Sequence, residues 1–199
     1  MARIRLLFAS ILVLALTGAY AQDAAKKDYK YVGSKKCKMC HTKEKMAGTH
    51  YNIWEKELHA KAFESLGTDK AKEAAKKHGV EDPQKDEKCL NCHTVKPVLA
   101  EGDTITHEEG VSCEACHGAA EEYLKPHNKE GLDAAVKVGM VPLRRMTEEE
   151  RAQICIRCHK EDPLNDFHKE FKYEEFWAKI DHSKATSEKV LEKRKERGE

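Results

Sequence analysis

The sequence predicts a mainly α fold with little or no sheet, organised around four copies of one short motif rather than around a hydrocarbon core. Three observations predict it. The 199-residue chain is polar, with 36% charged residues, 7% aromatics and a mean hydropathy of −0.76. Its apolar residues recur at three- and four-residue steps, and strand-like patterning is confined to stretches such as Thr104 to Thr106. All eight Cys fall in pairs of one form, Cys-x-x-Cys-His. Lys plus Arg number 36 against 35 Asp plus Glu, so there is no basic surplus of the kind a nucleic-acid binder needs. No stretch beyond the N-terminus has the length and apolarity of a membrane span.

Residues 1–21 read as a cleaved export signal. Arg3 and Arg5 form a basic start, Leu6 to Leu16 an apolar run too short to span a bilayer, and Ala19-Tyr20-Ala21 a small-x-small cleavage site. The expected organisation is this signal, a domain over 22–182, and a charged C-terminal helix or tail over 183–199. Thr42 to Leu66 reads as largely helical, with Ile53, Trp54, Leu58, Ala62, Phe63 and Leu66 on one stripe. His59 and Phe63 lie one turn apart on it, as do His50 and Trp54. Thr68 to His78 reads as a polar helix closed by Gly79, with His78 exposed. Gly102 to Gly110 is a loop carrying His107. Thr147-x-x-Glu150 is a capping box opening a helix that runs into Cys155. Tyr173 to Ile180 is a further helix, with Phe176, Trp177 and Ile180 clustered and His182 just after. The tail from Ser183 has no apolar stripe and reads as solvated.

The four units are Cys37-Lys38-Met39-Cys40-His41, Cys89-Leu90-Asn91-Cys92-His93, Cys113-Glu114-Ala115-Cys116-His117 and Cys155-Ile156-Arg157-Cys158-His159. Cys-x-x-Cys-His is the attachment motif of c-type haem. Two thiols add to the two vinyl groups of one haem, and the adjacent His binds iron from below. Zinc does not require a His after every second Cys, and disulfides would not repeat one pattern four times. The reading is therefore four haem c groups. Cys37, Cys40, Cys89, Cys92, Cys113, Cys116, Cys155 and Cys158 attach them, and His41, His93, His117 and His159 are proximal ligands to iron. The macrocycles then supply the interior that the composition lacks. Seven His remain: His50, His59, His78, His107, His127, His168 and His182. Four irons need at most four more ligands, so the count permits a second His on every iron and leaves at least three to other roles.

The flanking residues resemble those of the tetrahaem cytochrome c-554 family along most of the chain after residue 21. They include Gly33-Ser34-Lys35-Lys36-Cys37, Trp54 with His59-Ala60-Lys61-Ala62-Phe63-Glu64-Ser65-Leu66, Gly110-Val111-Ser112-Cys113-Glu114-Ala115-Cys116-His117-Gly118, and Phe171-Lys172-Tyr173. The resemblance implies a mostly helical fold of stacked haems and periplasmic electron transfer between redox proteins. It implies a hydroxylamine-oxidoreductase-like donor or a quinone-linked membrane cytochrome as partners. It also implies distal ligands: His127 opposite His41, His59 opposite His159, and His182 opposite His117. In the family type, the second haem lacks a protein ligand on its distal face, and residues after the fourth motif shape that face. Here the stretch from Lys160 to Glu170 is shorter and contains His168. His168 is the first candidate to close that face, with His107 and His50 as alternatives. Three functions are thus expected in order: an electron carrier, a reductase of nitric oxide or another nitrogen oxide at an open second haem, and a subunit of a cytochrome filament.

Overall fold

The computed structural model describes residues 28–186 and 188–196, and the expected signal over 1–21 lies outside them. The described chain is a succession of short helices: α1 (Ser34–His41), α2 (His50–Trp54), α3 (Ala62–Leu66), α4 (Asp69–Lys77), α5 (Glu87–His93), α6 (Cys113–His117), α7 (Leu124–Lys129), α8 (Leu132–Lys137), α9 (Glu148–Cys155), α10 (Tyr173–Ile180) and α11 (Glu188–Glu196). Single 3-10 turns cover His59–Lys61, His107–Glu109, Leu143–Arg145 and Ser183–Ala185. There is no strand among the described residues beyond an isolated bridge between Lys43 and Gly48. The mainly α class is the one the sequence predicts.

Local signals set several boundaries. Thr68 caps α4 by accepting from the Ala71 amide at 3.2 Å, and Asp69 adds negative charge to the first turn. Both bonds of the capping box are present at α9: the Thr147 amide donates to Glu150 Oε2 at 2.7 Å, and the Glu150 amide donates to Thr147 Oγ1 at 3.2 Å. Residues 42–66 are less helical than their periodicity predicts. They divide into α2, the turn at His59 and α3, and Leu58 is 85% exposed. The divergence is tertiary in cause. The Val111 amide donates to the His59 carbonyl at 2.9 Å, and Trp54 Nε1 donates to the Val111 carbonyl at 3.0 Å. These bonds turn the segment toward the loop before α6. Gly110 makes that approach feasible, because it sits at φ +62° and a Cβ there would lie 2.6 Å from the His59 oxygen.

The N-terminal strap is held by acidic side chains. Five consecutive amides, from Lys30 to Ser34, each donate to a carboxylate oxygen. Lys30 bonds Glu121 at 2.9 Å, Tyr31 bonds Asp103 at 2.9 Å, and Ser34 bonds Glu109 at 2.5 Å. Val32 and Gly33 bond the two oxygens of Glu114 at 3.0 and 2.8 Å. Glu114 also accepts from the Ala120 amide and is 1% exposed. The apolar cluster beneath is small: Ala120, Tyr123 and Ala135, flanked by Val32, Val138 and Met140. At the other end the packed chain continues past residue 182. The Ala185 carbonyl accepts from the Thr49 amide at 3.0 Å, and Val190 of α11 is buried.

Candidate haem-binding sites

Each Cys-x-x-Cys-His unit forms one helical turn, so both thiols and the imidazole share a face. The first three units lie on α1, α5 and α6. The fourth begins at the last residue of α9, and its turn closes through the His159 amide, which donates to the Cys155 carbonyl at 3.0 Å. All eight Cys are half-buried and free of disulfides.

Three pairs of imidazoles face one another. The ring centres of His41 and His127 are 6.0 Å apart and nearly parallel. Those of His59 and His159 are 6.0 Å apart, and those of His117 and His182 are 6.4 Å apart. Metal–imidazole bonds of about 2 Å on both sides of one ion put two ring centres about 6 Å apart. The spacing therefore fits one iron between each pair. These are the three pairings that the family resemblance implies.

The outer partners orient the rings. His93 Nδ1 lies 2.8 Å from the Ala62 carbonyl oxygen, His117 Nδ1 lies 3.3 Å from that of Val141, and His182 Nδ1 lies 3.1 Å from that of Ile180. A carbonyl can only accept, so Nδ1 carries the proton and Nε2 is the free lone pair. Burial favours the same neutral form. It depresses His117 to about 4, with the neighbouring His182 adding to the effect. Burial likewise lowers His59, His159 and His182, with His159 adding to the effect on His59 and His168 to that on His159. Phe171 and Phe176 flank His159, with ring centres 5.6 and 5.0 Å away. A neutral, oriented imidazole with an available Nε2 is the donor a haem iron takes, so the residues present fit the group.

The other expected residues are placed as follows. Among the described residues, no second imidazole stands opposite His93 at the separation seen in the three pairs. His168 interacts electrostatically with His159. His107 packs against Phe63, with ring centres 6.1 Å apart, and its Nε2 is buried without a hydrogen-bond partner among the described residues. His50 lies beside His41, with the two Nδ1 atoms 3.1 Å apart. His78 bonds Asp166 at 2.8 Å and so ties α4 to the loop after the fourth unit. The sequence singled out neither the Ala62, Val141 and Ile180 carbonyls nor the role of Glu114. A backbone acceptor leaves no mark in a sequence, and Glu114 sits at a spacer position of its motif.

Residues 36–118 match the family model described as cytochrome c554 and c-prime. Cytochrome c-554 of Nitrosomonas europaea is 34% identical over 111 residues, which are 52% of this chain and 45% of that protein. The chain thus spans less than half the length of that relative in the matched region. The solved structure of reduced cytochrome c554 from Nitrosomonas europaea is 26% identical and covers 81% of this chain and 86% of its own, with a TM-score of 0.47. Over residues 36–118 the chain is thus similar to cytochrome c554, and its four Cys-x-x-Cys-His units have the form that attaches haem c.

Proposed function

We propose that this chain is a periplasmic tetrahaem electron carrier. The eight Cys hold four haem c groups in a domain that begins after removal of 1–21 and whose packing runs on past residue 182 through Ala185 and Val190. His41, His93, His117 and His159 are the proximal ligands. His127, His182 and His59 complete the first, third and fourth irons. The observation that carries the reading is the three imidazole pairs at the separation of a single bound ion. Bound haem supplies a one-electron iron couple. The chain contributes neutral His donors, which suit both oxidation states, together with their burial and their outer hydrogen bonds.

Contacts between the units give them an order. Cys37 of the first unit interacts with Cys113 of the third. Cys116 of the third interacts with Cys155 of the fourth, and Arg157 Nη2 donates to the Ala115 carbonyl at 2.7 Å. Cys158 of the fourth contacts Cys92 of the second and lies 3.9 Å from the Asn91 carbonyl. The units therefore run first, third, fourth, second, and the two ends are the places for donor and acceptor proteins. A hydroxylamine-oxidoreductase-like donor or a quinone-linked membrane cytochrome is a partner of the right class. No helix among the described residues is long and apolar enough to cross a membrane.

A second reading is supported at the His93 site, where only one imidazole is in place among the described residues. His93 would hold the iron alone there, which would leave room for a small exogenous ligand such as nitric oxide. Low-temperature electron paramagnetic resonance of the oxidised holoprotein tests both readings. The expected spectrum has three low-spin ferric signals and one high-spin signal that nitric oxide converts. Four low-spin signals would remove the second reading. Absence of any bis-imidazole low-spin signal would remove the first.

A further inference from the structure

We propose that His50 is the positioning residue of the first haem site, holding the ring of His41 and coupling it to the C-terminal segment. The inference rests on the reading of His41 as an iron ligand. His50 stands edge-on to two candidate ligands at once. Its ring centre is 5.0 Å from that of His41 at 80°, and 5.5 Å from that of His182 at 90°. Its Nδ1 lies 3.1 Å from His41 Nδ1, and its Nε2 lies 2.9 Å from Thr186 Oγ1.

These distances admit one arrangement of protons. With Nε2 of His41 committed to iron, its Nδ1 carries hydrogen and donates. His50 Nδ1 must then accept, so the single proton of neutral His50 is on Nε2. That proton goes to Thr186 Oγ1, which accepts. Thr186 thereby fixes the tautomer of His50, and His50 fixes the rotation of the His41 ring. Thr186 is buried, and the segment carrying it is itself pinned by the Thr49 amide on the Ala185 carbonyl at 3.0 Å. Gly48 lets the two segments meet: its φ is +105°, and a Cβ there would lie 2.5 Å from the Ala185 oxygen and 2.6 Å from His50 Cε1.

The acceptor at His41 differs in kind from those at the second and third units. His93 and His117 present Nδ1 to peptide carbonyls, whereas His41 presents it to an imidazole nitrogen. An imidazole nitrogen is the stronger base. It draws the His41 proton further and makes that ring the more electron-rich donor, which favours ferric iron at the first site. His50 therefore lowers the potential of the first haem relative to the same site with a carbonyl partner.

The test uses the holoprotein and three variants. His127→Ala removes the distal ligand of the first iron and so identifies which potential and which resonance signal belong to it. His50→Leu removes the acceptor. His50→Asn returns an acceptor oxygen close to the position of Nδ1, but a weaker one. Potentiometric titration of His50→Leu is expected to raise that one potential. The size is about a tenfold change in the ferric-to-ferrous ratio, or about 59 mV for one electron. Its ferric g-values should move with it, and His50→Asn should lie between. An unchanged first potential and unchanged g-values in His50→Leu would overturn the proposal. Should His50→Leu fail to fold, Thr186→Val decides, because it keeps the shape and removes the acceptor of the Nε2 proton. A smaller shift of the same sign supports the proposal, and no shift in folded Thr186→Val overturns it. If His127→Ala changes no haem signal at all, it is the assignment of the first site that fails, not the role of His50.

Discussion

Glu114 does the work of several residues. It occupies a spacer position in the third unit, yet its two oxygens accept from the amides of Val32, Gly33 and Ala120. Burial pushes its carboxyl above the ordinary range, against the pull of those three donors. Glu114→Gln keeps one oxygen for Val32 and Ala120 and turns an amine toward the Gly33 amide, leaving a buried donor facing a donor. We expect a loss of about 1–3 kcal/mol, read as a lower midpoint in denaturant titration of the holoprotein. Asp103 makes the matching prediction in pH. Burial pushes its carboxyl up, but the amides of Tyr31 and Ala100 and the Lys96 ammonium outweigh burial and hold it below the usual carboxylate range. A depressed folded value means that the unfolded chain binds the proton more readily. The contribution is then present above the ordinary carboxylate value and lost as pH falls through the folded one. Thermal melts of the wild type and Asp103→Asn should differ by a constant amount near neutrality and converge below about pH 4. Neither residue stood out in the sequence, because acidic residues are common there and the amides they serve are distant in the chain. The four Cys-x-x-Cys-His units did stand out, since they repeat one fixed local spacing.

At the level of elements, what was legible is what is local. The Thr147–Glu150 capping box needs only four residues to form, and both of its bonds are present. Thr147→Ala should cost about 1 kcal/mol, roughly 2–4 °C in melting temperature for a chain of this size. Circular dichroism melts of the holoprotein would measure it, and an unchanged midpoint would mean that α9 is held by its neighbours alone. The Thr68 cap of α4 was equally readable. Residues 42–66 were not. Their apolar spacing suits one helix, but Trp54 and His59 are bonded to Val111, and these distant bonds break the run at Leu58. The break at the His59 turn follows from its bond to Val111, 52 residues on, which periodicity does not encode.

For the whole molecule, the scarcity of buried side chains is the governing quantity. The buried hydrophobic residues among those described include four alanines, and Met39, Leu58 and Phe167 stand exposed. So little apolar area does not offset the ordering of a chain this long. The chain made without haem attachment should therefore show no cooperative thermal transition and no near-ultraviolet circular dichroism. A sharp melt of that chain would mean that the protein core suffices without its prosthetic groups. The composition pointed to this much. Which His meets which was legible only through family resemblance, because the partners are far apart in sequence and only the fold brings them face to face.

The strap at residues 30–34 bears on how the protein behaves when crowded. Extended backbone at a molecular edge ordinarily offers its amides to any other chain and so seeds strand-to-strand aggregation. Here every amide from Lys30 to Ser34 already ends on a carboxylate. The carbonyls of Lys30, Tyr31 and Gly33 accept from the amides of Glu121, Thr104 and Lys36, and that of Val32 accepts from the Thr104 hydroxyl. The strap at the start of the described chain is thus closed to templating, without a neighbouring strand to close it.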